Sequence, residues 1–261
     1  MVKLLLNLTA LGLAGFAAAP LGAQEVADHV AMGVAANEVH DSRTALQHFQ
    51  AALDQDSSSY QANWRGAMTL LDLGEGISGS GKSPQRDSLY TEAERYANRS
   101  VAADSAGADG HFALAAAAGR RSLTLGQKAR IRRAAVIRRE ALRAIELNPE
   151  HDGAYHILGR WNAEIMRISG LSRFFAKNFL GAGVFGQASW SRAIANMEKA
   201  VELDSGRIYH RLELARIYAD RKRTADAETQ LHAAESLPVR EPMDSVYKQQ
   251  AAGLRRRLAK S

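Results

Sequence analysis

Apolar residues recur at helical spacing along most of the chain, and residues 137–161 show the pattern most clearly. A first helical run ends at Asn148-Pro149, because proline cannot continue a helix, and a second run begins at Ala154 after a short polar link. Two helices joined by so short a link pack antiparallel. The alternation of apolar and polar residues that is typical of strands is absent from the sequence. The pattern therefore predicts an all-α protein built from helix hairpins.

The hairpins share the signature of the tetratricopeptide repeat, a helix pair of about 34 residues. In the first, Gly33 is followed by Ala45, Phe49 and Ala52, so that small residues lie where the helices touch and an aromatic ring fills the gap. The predicted repeats lie near residues 26–57, 59–105, 108–149, 152–205 and 208–238, and a helix at 244–259 caps the last one. The predicted fold is a tetratricopeptide-repeat-like, right-handed all-α superhelix of about five antiparallel helix pairs plus a C-terminal capping helix.

The N-terminal segment resembles an export signal. Lys3 precedes a mostly apolar run, and small residues up to Ala23 follow it, which predicts a cleavable signal peptide at 1–23 and a single exported, periplasmic domain at 24–261. The alternative is an uncleaved membrane anchor, because about 20 mostly apolar residues could just span a bilayer. No cysteine is present at the predicted cut, which excludes a lipoprotein.

The amino-acid composition and the net charge limit the kinds of functional site that the chain can contain. The chain has 261 residues, of which 46% are apolar and 24% charged, as in an ordinary globular domain or repeat array. The formal net charge of +6 permits anionic partners. The absence of cysteine excludes disulfides, thiolate metal sites and cysteine nucleophiles.

Residues 76–83, GISGSGKS, fit the phosphate-loop pattern. Such a loop lies between a buried strand and a helix, whereas the residues before Gly76 continue a helical repeat. Pro84 follows Ser83 at once, and no later apolar run ends in the aspartate that would hold the metal. We therefore expect a solvated loop and no nucleotide.

Catalysis has no support in the sequence. The eight histidines show no metal-ligand spacing, and no nucleophile-elbow motif is present. We expect no enzymatic activity, no metal and no cofactor.

A basic stretch is the first candidate binding surface. Its candidate binding residues are Arg120, Arg121, Lys128, Arg130, Arg132 and Arg133. The stretch is either a surface for anionic lipid head groups or an acidic partner, or an ordinary solvated helix face. Nucleic acid is not expected, because no aromatic residues interleave with the arginines to form a stacking platform.

An insertion in the fourth repeat carries several aromatic residues, among them Phe174, Phe175 and Phe179. So many apolar side chains form an adhesive patch if they stay exposed. The insertion either covers a hydrophobic ligand in the concave groove, touches a membrane, or packs on the array as additional core.

Six further residues lie at or near groove-facing positions by the predicted register: Asn63, His156, Arg160, Asn162, Arg216 and Asp220. Arg160 and Arg216 occupy equivalent places in adjacent repeats. Paired arginines suit a carboxylate or phosphate ligand, and they equally suit salt bridges between helices.

Several motifs resemble the regulator of microtubule dynamics family over roughly residues 60–238. They are Trp64-Arg65 with Ala67, Leu89-Tyr90, Glu92-Ala93, Tyr96-Ala97, Gly126 with Lys128 and Ile131, Ile145-Glu146-Leu147-Asn148-Pro149, and His156-Ile157-Leu158-Gly159-Arg160-Trp161. The resemblance implies a tetratricopeptide-like helical binding domain rather than an enzyme. Eukaryotic members are associated with microtubules, and one with organelle contact sites and phospholipid binding or transfer. The export signal and the extra N-terminal repeat depart from the family and look bacterial.

Two functions follow as expectations. The first is a non-enzymatic periplasmic module that binds a protein or peptide segment in its concave groove. The second is a carrier or sensor of phospholipid or another anionic lipid that uses Arg160, Arg216 and the aromatic insertion. A bare, open groove favours the first, and a closed apolar cavity under residues 174–185 favours the second.

Overall fold

Helices account for nearly all of the described chain. The computed structural model describes residues 21–77, 79, 83–122, 125–170 and 183–260, and these contain eleven α-helices and no strand. The helices are α1 (Leu21–Glu38), α2 (Ser42–Gln55), α3 (Tyr60–Glu75), α4 (Pro84–Ala103), α5 (Ala108–Ser122), α6 (Gln127–Leu147), α7 (Asp152–Arg167), α8 (Trp190–Leu203), α9 (Ile208–Asp220), α10 (Thr224–Ser236) and α11 (Asp244–Leu258). A short 3-10 turn, Gly183–Gln187, precedes α8.

Consecutive helices form five packed pairs, from α1/α2 to α9/α10, and α11 packs on the last pair. The first helices of neighbouring pairs also contact one another from α1 through α9, so that they form one side of the array. This is how a repeat array buries a continuous core, since each pair covers the apolar face of the next. The predicted all-α, tetratricopeptide-repeat-like fold is confirmed.

Small residues set the helix spacing as the sequence predicts for the first repeat. A Cβ at Gly33 would lie 2.5 Å from a ring carbon of Phe49, which is fully buried. In the fourth repeat a Cβ at Gly159 would lie 2.9 Å from the Met197 side chain and 3.2 Å from its backbone nitrogen. Gly159 therefore allows α7 and α8 to approach closely.

The N-terminal prediction stays a prediction. Residues 1–20 lie outside the described part, and α1 begins at Leu21, inside the predicted signal segment. Within the described residues, no helix combines the length and the apolar character needed to cross a membrane.

The last helix does more than cap the array. The hydroxyl of Tyr247, in α11, donates a hydrogen bond of 2.7 Å to Glu75 Oε2 at the end of α3, 172 residues earlier. The C-terminal helix therefore reaches back across the concave side to the second repeat.

Candidate ligand-binding cavity

A cavity of 600 Å³ lies on the side formed by the first helices, between α3, α5, α7 and α9, with α6 and α11 completing its wall. This volume lies within the range of about 300–1,000 Å³ that is typical of small-ligand sites. Much of the wall is apolar, with Leu71, Phe112, Ile131, Trp161 and Phe185 among its members. The indole nitrogen of Trp161 donates to the Ala134 carbonyl oxygen at 2.8 Å, which fixes α7 on α6.

The charged side chains of the wall balance one another. Four arginines, Arg120, Arg130, Arg160 and Arg207, and four carboxylates, Asp72, Glu75, Glu164 and Glu241, are among the described lining residues. A wall with equal numbers of both charges does not by itself attract an anion or a cation.

Glu75, Arg120, Tyr209 and Tyr247 form what we call the closing cluster. The rings of Tyr209 and Tyr247 are stacked, with centroids 4.3 Å apart and an interplanar angle of 11°. Arg120 forms an ion pair with Glu75 and donates to the Tyr209 hydroxyl at 3.4 Å. The cluster joins α3, α5, α9 and α11 and so bounds one end of the cavity.

A chain of three side chains runs from the surface to the cavity wall. Asp152 Oδ2 lies 2.8 Å from His210 Nε2 and 2.8 Å from the guanidinium of Arg207. His210 Nδ1 in turn lies 2.9 Å from Nδ1 of His156. We call Asp152, His210 and His156 the histidine relay. It ties the first turn of α9 to α7.

Burial and charge determine the protonation of the relay. Burial opposes ionisation of Asp152, but the hydrogen bond from His210 and the positive charge of Arg207 outweigh it and hold its pKa well below the usual range. Burial lowers the pKa of His210, and Arg207 adds to the effect, although Asp152 opposes it. Burial lowers the pKa of His156 well below 6.5, and the positive charges of Arg160, Arg207 and Arg120 add to the effect. Both rings are therefore neutral at neutral pH.

Asp72 is the second unusual group on the wall. Burial, reinforced by Glu241, raises its pKa to about 7, although Arg120 and Arg207 oppose the shift. The structure gives its side chain no hydrogen bond to any residue of the described ranges. Asp72 thus presents a carboxyl group to the cavity that changes its charge near neutral pH.

Arg160 and Arg216, the predicted anion-binding pair, share one carboxylate. Glu213 is 2% exposed; it contacts Arg216 and lies 3.8 Å from Arg160 Nε. Burial disfavours ionised Glu213, but Arg160 and Arg216 outweigh this and lower its pKa. Arg160 also donates to the Tyr209 hydroxyl, and Arg216 to Gln250 Oε1 at 2.6 Å. Their charges are compensated within the protein, which is the geometry of the salt-bridge alternative.

Asn63 lies away from the cavity. Its amide nitrogen donates to the carbonyl oxygens of Ser57 and Ser59 at 3.0 and 2.9 Å, and its Oδ1 accepts from Arg99 Nε at 2.9 Å. The side chain therefore fixes the turn before α3, and both of its N–H donors are used there. Of the predicted groove residues, the structure brings His156 and Arg160 to the cavity wall.

The basic stretch is largely paired with carboxylates from other repeats. Arg120 contacts Glu75, and both Arg121 and Arg133 contact Glu94, whose pKa they lower against the effect of burial. Arg130 donates to two backbone carbonyl oxygens, whereas Arg132 is exposed. The side chain of Lys128 lies outside the described part. This surface carries less uncompensated charge than the sequence suggests.

Phe174, Phe175 and Phe179 lie outside the described residues. The end of the same insertion is described, and there Phe185 is 4% exposed and packs with Ile131, Trp161 and Ile165. This part of the insertion contributes additional core and forms part of the cavity wall.

The phosphate-loop pattern follows a helix. α3 ends at Glu75, and the guanidinium of Arg86 donates to the carbonyl oxygens of Gly74 and Gly79, at 3.3 and 2.7 Å. Ser83 is the N-cap of α4, with its hydroxyl accepting from Arg86 N. A strand does not precede the loop, and Ser83 is engaged in capping. Among the described residues, no group of three His, Cys, Asp or Glu side chains could hold a metal ion.

Sequence reasoning missed Asp72, Asp152, His210 and the closing cluster. Asp152 and His156 are four residues apart on one helix, and Tyr209 and His210 are adjacent in the next first helix. That spacing is the one local signal that could have pointed to the relay.

Comparisons with known proteins agree with the fold. TTC0263, a thermophilic tetratricopeptide repeat protein of Thermus thermophilus, superposes with a TM-score of 0.62 at 19% identity, covering 87% of this chain and 97% of that one. PilF of Pseudomonas aeruginosa gives a TM-score of 0.54 at 14% identity, covering 92% and 89%. A search of curated proteins gave no match.

At these identities, the two structures show similarity of fold alone. The sequence model of Regulator of microtubule dynamics protein 1-3 matches residues 29–259, which is most of the chain. The chain therefore belongs to the regulator of microtubule dynamics family.

Proposed function

We propose that the protein is a non-enzymatic binding module that holds an apolar segment of a partner protein or peptide in the cavity on its concave side. The observation that carries the proposal is the cavity. It has a volume of 600 Å³, its wall is largely apolar, and five repeat helices and α11 bound it. Apolar pockets with a few placed polar groups are the usual form of a ligand site. Tetratricopeptide-type arrays present such a concave surface to their partners.

The polar groups of the wall favour a peptide over an anionic lipid. Arg120, Arg160 and Arg207 each pair with a carboxylate of the protein, so much of their positive charge is already compensated. Among the described residues, His156 Nε2 and the Asp72 carboxyl have no hydrogen-bond partner and are acceptors when unprotonated, and the Arg160 Nε donor has only the Glu213 carboxylate, at 3.8 Å. A peptide supplies backbone N–H donors, whereas a phosphodiester supplies acceptors and adds negative charge.

A phospholipid or another anionic lipid is the second candidate. It is favoured by the buried Phe185, which brings the end of the aromatic insertion to the cavity wall, as expected if the insertion covers an apolar chain. Three of the cavity arginines, Arg120, Arg160 and Arg207, already pair with carboxylates of the protein.

A substitution that fills the cavity tests the proposal. Gly119 lines the cavity in α5, and a Cβ there would meet nothing within 4 Å, so the side chain introduced by Gly119→Phe begins in open space. Gly253→Phe in α11 is the matched control, because it changes a helical glycine that does not line the cavity.

Peptides selected from a random phage-displayed library on the wild-type protein are measured against both variants. We expect binding to the wild type and to Gly253→Phe, and a loss of at least tenfold in Gly119→Phe. Equal binding to all three proteins overturns the proposal. A phospholipid that copurifies at one molecule per chain and is lost in Gly119→Phe establishes the lipid function instead.

We also propose that the protein is exported to the periplasm after cleavage following Ala23. The apolar segment after Lys3 supports this proposal. The intact mass of the protein isolated from the cell envelope tests it. A chain that begins at Gln24 is the expected result, and an uncleaved chain in the cytoplasmic fraction contradicts it.

A further inference from the structure

The protein leaves one buried hydrogen-bonding atom of the cavity wall without a partner. Three buried side-chain atoms of lining residues have no hydrogen bond among the described residues: Glu75 Oε1, Arg160 Nε and His156 Nε2. Glu75 Oε1 contacts the Arg120 guanidinium, and Arg160 Nε has the Glu213 carboxylate at 3.8 Å. His156 Nε2 has neither, although the residue is only 5% exposed. Burying a polar atom without a partner is costly, so such an atom calls for a ligand.

The histidine relay fixes what this atom can do. The Asp152 carboxylate only accepts hydrogen bonds, so His210 Nε2 carries the proton between them. A neutral His210 then has an unprotonated Nδ1, which accepts from Nδ1–H of His156. Because His156 carries its proton on Nδ1, its Nε2 keeps an unused lone pair on a residue that lines the cavity.

The surroundings of His156 select the charge of the donor. Arg120, Arg160 and Arg207 lie close enough to disfavour a positive charge on the imidazole. They disfavour a cationic ligand group at the same place for the same reason. The Tyr209 ring lies 4.5 Å from the imidazole ring, measured between centroids, and supplies an aromatic surface beside the lone pair.

We propose that His156 determines the specificity of the cavity by accepting, at Nε2, a hydrogen bond from a neutral N–H or O–H group that adjoins an apolar part of the ligand. This inference rests on the proposed function, because it assigns a ligand chemistry to the same cavity. Asp152 and His210 are positioning residues that hold the tautomer of His156. In a peptide ligand the donor is a backbone amide, an indole N–H or a hydroxyl group.

The first test reads the tautomer directly. In protein labelled with ¹⁵N-histidine, His156 is assigned by comparison with His156→Phe. We expect a protonated Nδ1 and an unprotonated Nε2 at neutral pH. In His210→Phe the acceptor of Nδ1–H is lost, and we expect the two tautomers of His156 to mix. A wild-type spectrum with a protonated Nε2 overturns the proposal.

The second test uses two small probes of nearly equal shape, indole and 1-methylindole, which differ in the ring N–H. Indole should bind the wild-type protein about fivefold more tightly, because a net hydrogen bond has that effect on an equilibrium. In His156→Phe, with its fold checked by circular dichroism, the ratio of the two affinities should fall to about one. Equal affinities in the wild type, or a ratio that persists in His156→Phe, overturn the proposal.

Failure of this inference and failure of the proposed function are distinguishable. If both probes bind the wild type and neither binds Gly119→Phe, the cavity is a binding site whatever the ratio, and the ratio alone decides the role of His156. If neither probe binds the wild type, the proposed binding function of the cavity and the proposed role of His156 are both contradicted.

Discussion

Two buried histidine sites in the array differ in what they leave unused. Between α5 and α6, His111 Nδ1 lies 2.6 Å from Glu140 Oε2 and its Nε2 lies 3.1 Å from the Ser105 carbonyl oxygen. Between α7 and α9, His156 lines the cavity and uses only Nδ1, and its buried Nε2 has no hydrogen-bond partner among the described residues. The same helix packing thus carries a histidine that joins two helices and one that also retains a lone pair. Both histidines are buried, so burial does not distinguish their roles. We assign His111 a structural role because its Nε2 is hydrogen-bonded, and His156 a binding role because its Nε2 is not.

The largest expected difference concerns stability. His111→Ala removes the buried hydrogen bonds to Glu140 and to the Ser105 carbonyl oxygen and should lower the free energy of unfolding by about 3 kcal/mol. His156→Phe keeps an aromatic ring and breaks only the contact with His210, so its cost should be about 1 kcal/mol. Urea unfolding of the two variants measures both values. A larger loss in His156→Phe than in His111→Ala contradicts the comparison.

Asp72 differs from the carboxylate of the His111 site, because Glu140 is hydrogen-bonded to His111 whereas Asp72 has no hydrogen-bond partner among the described residues. The pKa of Asp72 is raised from 3.8 to about 7, so its ionisation costs the folded state increasingly as the pH rises between these values. Asp72→Asn removes this cost and should stabilise the protein by roughly 1–2 kcal/mol at about pH 8, after allowance for its partial exposure, and by nothing at about pH 4. Asp54→Asn, at an exposed position of α2, is the control. Equal effects of Asp72→Asn at both pH values contradict the assignment.

The closing cluster can be weakened by a substitution that keeps the aromatic ring on the cavity wall. Tyr247→Phe keeps the ring that stacks on Tyr209 and removes the hydrogen bond to Glu75. We expect a loss of about 1 kcal/mol in the free energy of unfolding. Amide hydrogen exchange should become faster in α11 while α1 is unchanged. Faster exchange spread evenly over all helices is the result that speaks against a local closure.

The smallest expected effect is a change in the pH dependence of stability. The pKa of folded His156 lies below its ordinary value of 6.5, so the unfolded chain takes up a proton that the folded chain refuses. The contribution of His156 is therefore fully present above about pH 6.5 and decreases as the pH falls. His156→Phe should reduce the loss of stability between about pH 7 and pH 5. An unchanged slope shows that the imidazole titrates freely in the fold.

The sequence predicts the fold because its determinants are local. Gly33, Ala45 and Phe49 have the spacing of the repeat signature. They pack in the structure as this spacing indicates. Element boundaries follow from capping residues such as Ser59 and Ser83, which lie next to their helices in the sequence.

The site depends on contacts that sequence spacing does not reveal. The hydrogen bond between Glu75 and Tyr247 joins residues 172 positions apart, and Arg133 finds Glu94 at a separation of 39. For this reason the sequence suggests that the basic stretch is an open positive surface. In the structure, several of its arginines are paired with carboxylates from other repeats. The predicted register faces Asn63 to the groove. In the structure its amide nitrogen donates to backbone carbonyl oxygens of the preceding turn.

One titration tests the central claim most directly. Protein labelled with ¹⁵N-histidine is titrated with indole, and the ring signals of His156 and His111 are followed together. The account predicts that the Nε2 signal of His156 shifts with saturation, that the signals of His111 stay in place, and that Gly119→Phe abolishes the shift. A stationary His156 signal while indole binds, or equal shifts at both histidines, contradicts the claim that the cavity uses His156 to recognise its ligand.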